Sequence, residues 1–217
     1  MKVLVLSHQY PHALNSTIGC FVHEQVKALR KHCEVVVISP TPVTSPIMRR
    51  FKPYWPYYAS RPRKTEVEGI MVYRPRYMHL PTKWGFPLDA FLMCLALGGL
   101  LNRLKETFSF DLIHAHTLCP DGVAAAWLGR RMGIPVVCTI HGGDINIYPH
   151  WTRFIRIVTQ QAIRSVDALV AVSAESKERA LALETPKQDI RVIPNGVDLQ
   201  QFAPQDKELS RKELGLP

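Results

Sequence analysis

A chain of 217 residues, 47% hydrophobic and 21% charged, is long enough to bury one substantial core and has the composition of an ordinary globular protein. A spanning helix is excluded from its apolar runs, because the longest, AFLMCLALGGLL (90–101), has twelve residues against the ~18 that a bilayer requires. The net charge of +9 calls for an anionic partner: a nucleic acid, an anionic membrane surface or a phosphorylated substrate.

The N-terminus, MKVLVLSHQYP, has too short an apolar run for a signal peptide. Within it KVLVLS (2–7) reads as a strand. The loop that follows has no GxGxxG fingerprint, but Gly19 stands at a helix start. It either permits a tight turn or lets free N–H groups face a phosphate. IGCFVHEQVKALRKH (18–32) is a helix with Ile18, Phe21, Val22, Val26 and Leu29 on one face, and EVVVIS (34–39) is a second strand. Next comes MRRFKPYWPYYASRPRK (48–64), with six Arg or Lys and five aromatic residues between prolines. It reads as a solvated loop, as a single-strand nucleic-acid surface, or as a surface for anionic lipid, where each cation contributes about 1 kcal/mol.

GIMVYRP (69–75) is the third strand, a long helix lies within 87–107, and DLIHAH (111–116) is the fourth strand. His114 and His116, two apart on it, are expected on opposite faces, which makes them poor co-ligands for one metal. His114 then reads as a core histidine and His116 as a site residue. Asp121 opens a helix over 121–132. PVVCTI (135–140) is the fifth strand and runs into TIHGGDINIY (139–148), where a histidine, two glycines and an acid follow one another. Gly142 and Gly143 remove side-chain bulk, so backbone amides and the His141 imidazole can approach a sugar phosphate. A Gly-Gly turn with a bystander histidine fits the same residues. A helix in 150–165, strand ALVAVS (168–173), a helix capped by Ser173 and strand IRVIP (190–194) complete the pattern. After the Asn195–Gly196 turn, SRKELGL begins a new helical pattern with Ser210 as its cap. The cysteines at 20, 33, 94, 119 and 138 form no CxxC pair and no zinc spacing, which predicts reduced thiols in a cytoplasmic protein. Continuous apolar strands alternating with helices predict a doubly wound, mostly parallel Rossmann-like α/β sheet, with ligands beyond the carboxyl ends of the strands.

GCFVHEQVKAL (19–29), YRPRY (73–77), DLIHAHTLCPDGVAAA (111–126), PVVCTIHGGDIN (135–146), VDALVAVS (166–173) and VIPNGVD (192–198) follow one another along nearly the whole chain. This ordered set resembles the N-terminal half of a GT-B glycosyltransferase of glycosyltransferase family 4, of the kind that builds cell-surface polysaccharides. The resemblance implies two Rossmann-like domains around a cleft, with acceptor on the N-terminal side and nucleotide sugar on the C-terminal side. It divides the chain into an acceptor-side domain (1–198) and a linker with the opening of a missing donor-binding domain (199–217), hinged at Asn195 and Gly196. It implies retention of anomeric configuration, no metal, a UDP- or GDP-sugar donor, and a glycan or lipid-linked acceptor. His141 would touch the donor sugar and its phosphate, with Gly19, Gly142 and Gly143 on the phosphate side. His116, Asp121 and Asp144 would face the acceptor, although helix capping explains Asp144 equally well. The expected location is cytoplasmic and peripheral at the inner face of the plasma membrane. A single-domain binding or membrane-docking module serving a separate donor-binding subunit is the second reading, and a nucleic-acid binder ranks last.

Overall fold

In the computed structural model, which describes residues 1–11, 17–43, 61–79, 85–199 and 202–216, the β-branched runs of the sequence become the strands. In chain order these are β1 (Lys2–Leu6), β2 (Glu34–Ile38), β3 (Thr41–Val43), β4 (Lys64–Val67), β5 (Ile70–Tyr73), β6 (Arg76–Met78), β7 (Leu112–His116), β8 (Val136–Ile140), β9 (Ala168–Ala171) and β10 (Arg191–Val192). Eight form one sheet in the order β10-β9-β8-β7-β1-β2-β5-β4, and β3 pairs with β6 separately. Every pair in the large sheet is parallel except β4–β5. The sheet is therefore the expected doubly wound α/β arrangement with one antiparallel edge. That edge went unpredicted. Glu68 (φ 48°) and Gly69 (φ 74°) form a two-residue turn with both φ positive, the geometry that closes a tight hairpin.

Alternation along β1 divides the core. Val3 and Val5 pack with Val22 and Val26 of α1 (Cys20–Leu29). Leu4 and Leu6 face the other way, onto the layer built from α2 (Phe86–Thr107) and α3 (Val123–Met132). In α2 the buried residues Ala90, Met93, Leu97, Leu101 and Leu104 recur every three or four positions, which sets one stripe against the sheet. Burying each large member contributes roughly 1.5–3 kcal/mol. The remaining helices are α4 (Gly143–Asn146), α5 (Arg153–Ser165), α6 (Ala174–Leu183) and α7 (Lys207–Glu213). Thr152 caps α5 and Ser173 caps α6 through their hydroxyls, the latter as expected.

Three local expectations are corrected. The last strand is two residues long: the Ile193 N–H still reaches the Ala171 carbonyl of β9 at 2.9 Å, and no strand pairing continues past it. The helix expected over 150–165 is a 3-10 turn (Tyr148–His150) followed by α5, since the Thr152 cap starts a fresh helix. The cap of α7 is Asp206, which accepts the N–H groups of Glu208 and Leu209, and Ser210 lies inside the helix.

Gly129 is where α3 meets β8: a Cβ there would lie 2.4 Å from Val136 Cγ2 and 2.7 Å from the Ile134 carbonyl. Gly99 of α2 has nothing within 4 Å of the same position. Gly129→Ala should therefore cost about 1–3 kcal/mol by overpacking, whereas Gly99→Ala should stabilise by roughly 0.4–1 kcal/mol through the unfolded chain. Urea unfolding of both variants checks the opposite signs.

Candidate active site

The carboxyl ends of β1, β7 and β8 lie side by side, so the loops that leave them share one edge of the sheet. The residues arriving there are His8, Thr117 and His141. Two buried carboxylates tie the loops together. Asp121 accepts the His8 N–H (3.0 Å), the His8 ring at Nδ1 (2.5 Å) and the Thr117 hydroxyl (2.9 Å). Asp144 accepts N–H groups from Leu118 (2.8 Å), His141 (3.0 Å) and Gly142 (2.9 Å). Thr117 is held at φ 79°, which β-branched residues rarely adopt, and its bond to Asp121 helps maintain it.

Three imidazoles stand in a row. His114 and His116 are on the same face, since side chains two apart on a strand project alike, and their rings are 4.4 Å apart. The expectation of opposite faces is corrected. His114 Nε2 meets the Thr139 hydroxyl at 2.8 Å, while His116 Nδ1 meets His141 Nε2 at 2.9 Å. The His116 and His141 planes differ by 23° with centroids 5.2 Å apart. Near-parallel rings joined through nitrogen at that separation meet edge to edge, not face to face. The tautomers follow. His116 Nε2 is buried without a partner, and a buried lone pair lacking a donor is cheaper than a buried N–H lacking an acceptor. His116 therefore carries its proton on Nδ1 and donates it to His141 Nε2. The His141 proton is then on Nδ1, a nitrogen with no hydrogen-bond partner among the described residues. Phe21, 4.6 Å from the His141 ring, packs beside it.

Burial sets the charge of this row. It pushes His141 and His114 down to about 4, and His116 well below its ordinary value, so all three are neutral near pH 7. His8 behaves oppositely. Burial alone would lower it, but the charge of Asp121 and its hydrogen bond outweigh burial and raise its pKa. Burial pushes Asp144 up to about 6 against the pull of its amide donors.

Of the residues named from sequence, His141, Gly142 and Gly143 are partly exposed at this edge. Gly142 has φ 103°, which requires glycine, whereas Gly143 has open space around it. Gly19 is buried, and a Cβ there would lie 2.3 Å from the Gln9 carbonyl, so close approach of the β1 loop explains it. No side chain caps the first turn of α1 beside it. His116, Asp121 and Asp144 are at most 1% exposed. Their side chains bond His8, Thr117, His141 and the backbone of the neighbouring loops. Asn195 and Gly196 are exposed and outside regular structure. Positions 48–60 of the basic segment lie outside the described residues, and Arg61 is buried, which corrects its assignment to a lipid-facing surface. His8 and Phe21 were not singled out from sequence as site residues; the signal for His8 was its place just past β1. Among the described residues, no group of three or more His, Cys, Asp or Glu side chains is placed to hold a metal ion.

Comparison with known proteins gives a match over residues 18–201 to the family model described as Glycosyltransferase Family 4. The chain is 34% identical over 223 residues to a putative teichuronic acid biosynthesis glycosyltransferase, TuaC, of Bacillus subtilis, covering all of this chain and 56% of that protein. It is 30% identical over 128 residues to the Escherichia coli UDP-Gal:alpha-D-GlcNAc-diphosphoundecaprenol alpha-1,3-galactosyltransferase, covering 54% of this chain and 31% of that one. Among solved structures, Anabaena HepE in complex with UDP-glucose superimposes with a TM-score of 0.61 at 18% identity, over 99% of this chain and 50% of that one, a likeness of fold. The chain thus spans about half the length of the curated relative that it matches throughout.

The charge pattern is directly measurable. In an NMR titration His8 should stay protonated above its ordinary value, and His114 and His141 should titrate near 4. Asp121→Asn should shift His8 downward and leave His141 in place. Groups lowered on folding bind protons better when unfolded, so the His114 contribution is intact above about pH 6.5 and is lost as pH falls toward 4. His114→Gln should flatten the stability–pH curve across that window.

Proposed function

The chain belongs to glycosyltransferase family 4, and on that premise we propose that it is the acceptor-side half of a retaining hexosyltransferase. The enzyme moves a sugar from a UDP- or GDP-sugar to a glycan or lipid-linked acceptor. The observation that carries this reading is the His141 imidazole, partly exposed at the end of β8 and held from behind by His116. As the bond between sugar and phosphate breaks, negative charge grows on the leaving phosphate. A fixed N–H aimed at that position stabilises the transition state more than the ground state. The Nδ1 proton of His141 supplies such a donor, and neutrality near pH 7 keeps it from binding the ground-state diphosphate as a permanent cation would.

The first turn of α1, beside Gly19, and the Gly142–Gly143 backbone form the phosphate side of the cleft. On the acceptor side we assign His8, whose ring is oriented by Asp121. His116, Asp121 and Asp144 act behind these contacts. Asn195 and Gly196 serve as the hinge between residues 1–198 and a donor-binding domain that begins within 199–217. Work on a lipid-linked acceptor places the enzyme at the cytoplasmic face of the plasma membrane.

In the protein complete with its donor-binding domain, His141→Ala should lower kcat on the order of 100- to 1,000-fold with little change in Tm. His114→Ala should show the reverse balance, because that ring only packs and bonds Thr139. Near-normal turnover by His141→Ala, or loss of its fold, would sink the assignment. Residues 1–217 alone should turn over no nucleotide sugar, since one wall of a cleft cannot orient the donor; a transfer assay on the isolated chain checks this.

A further inference from the structure

A second histidine–carboxylate pair stands beside the one at His8, and none of the contacts described above uses it. His79 leaves β6, and its Nδ1 meets both oxygens of Asp89, in the first turn of α2, at 2.9 and 2.7 Å. Asp89 is buried, whereas the side chains of His79 and His8 are 20% and 21% exposed. Helix α2 packs against both β6 and the turn Leu118–Gly122 that carries Asp121. The two pairs therefore share one neighbourhood, and the charges of Asp89 and His8 act on each other. In each pair a buried acid takes the Nδ1 side of the imidazole, so Nε2 is the nitrogen turned away from the acid.

Three aromatic rings adjoin these pairs. Phe86, one turn before Asp89 in α2, meets Tyr148 and Trp151 edge to face, with centroids 5.1 and 5.8 Å apart, and Tyr148 meets Trp151 at 4.8 Å. Such contacts hold each ring in one orientation. The charges of Asp144 and Asp121 reach Tyr148, which sets the cluster on the side of the buried acids, and Trp151 is 37% exposed. A ligand here meets apolar rings next to two oriented imidazoles. An anion would also meet the repulsion of Asp89 and Asp121, the partners of those imidazoles. A neutral pyranose ring suits both halves of the surface. Its C–H face lies on an aromatic side chain, and its rim hydroxyls exchange hydrogen bonds with imidazole nitrogen.

We propose that His8, His79, Phe86, Tyr148 and Trp151 form a subsite for a neutral pyranose ring of the acceptor, with Asp89 as the residue that positions His79. The inference rests on the acceptor-side reading of this domain and narrows it. The part of the acceptor held next to the sheet edge is a sugar, and any lipid phosphate lies farther out.

Saturation-transfer NMR on the protein complete with its donor-binding domain tests it, with maltotriose, chitotriose, trigalacturonate and farnesyl phosphate as probes. A neutral trisaccharide should bind through the C–H protons of one ring, and the two anionic probes should not compete with it. His79→Gln, and separately Trp151→Ala, should each weaken that binding about tenfold, with Tm unchanged for the exposed Trp151. Asp89→Ala should weaken it as much as His79→Gln does, and Asp89→Asn, which still accepts the Nδ1 proton, should restore most of it. Lys31→Ser, on an exposed position just past α1, should bind as the parent does. Failure of both neutral trisaccharides to bind would overturn the proposal, as would binding that none of these substitutions changes. Farnesyl phosphate held by His79 and Trp151 in their place would give the subsite to a lipid phosphate and overturn it too. If transfer is lost in His141→Ala while trisaccharide binding ignores His79 and Trp151, this subsite alone falls and the transferase reading stands.

Discussion

The carboxylate of Asp144 accepts the backbone N–H groups of Leu118, His141 and Gly142, and so joins the loop leaving β7 to the loop leaving β8. Burying an anion costs several kcal/mol unless donors surround it, and here three amides with no place in the strand ladder supply them. Asp121 makes the matching link from β1 to the β7 loop through His8 and Thr117. These two stitches fix where His8 and His141 leave the sheet. The imidazole row then needs no further scaffolding, because its backbone is already set.

The electrostatic character of the edge follows from which imidazole gets a carboxylate. His141 receives another neutral ring as its partner and stays uncharged near pH 7; His8 receives Asp121, whose charge and hydrogen bond raise its pKa. Two histidines at one edge of one sheet thus differ in chemistry: His141 is a neutral donor, and His8 is the more basic of the two. The acids that make this difference are out of solvent, so a bound substrate meets imidazoles and backbone, not carboxylates.

The parallel strands were legible because strands buried on both faces read as near-continuous apolar runs, as VLVL, VVVI and VVC do. KTEV was not: alternating charge in an edge strand looks like loop, and only the Glu68–Gly69 turn betrayed it. His141 was legible from the two glycines after it. The roles of Asp121 and Asp144 were not, since sequence gives an acid's position but not whether backbone amides converge on it. Pairing of His116 with His141 depends on β7–β8 register, in which Ala115 aligns with Cys138 and His116 with Thr139. No local pattern encodes that register. The family resemblance supplied order and architecture, whereas the division between contacting and supporting residues came from burial.

The two ends of the large sheet are finished differently, and this governs how copies of the chain meet. At one end β4 turns back antiparallel and presents Lys64 and Glu66, charged side chains that discourage a further strand from adding. At the other, β10 is paired over only two residues, leaving too short a template for extension. Open parallel sheets with long bare margins invite edge-to-edge polymerisation. Here charge at one margin and brevity at the other leave little template for a second copy's strand to extend.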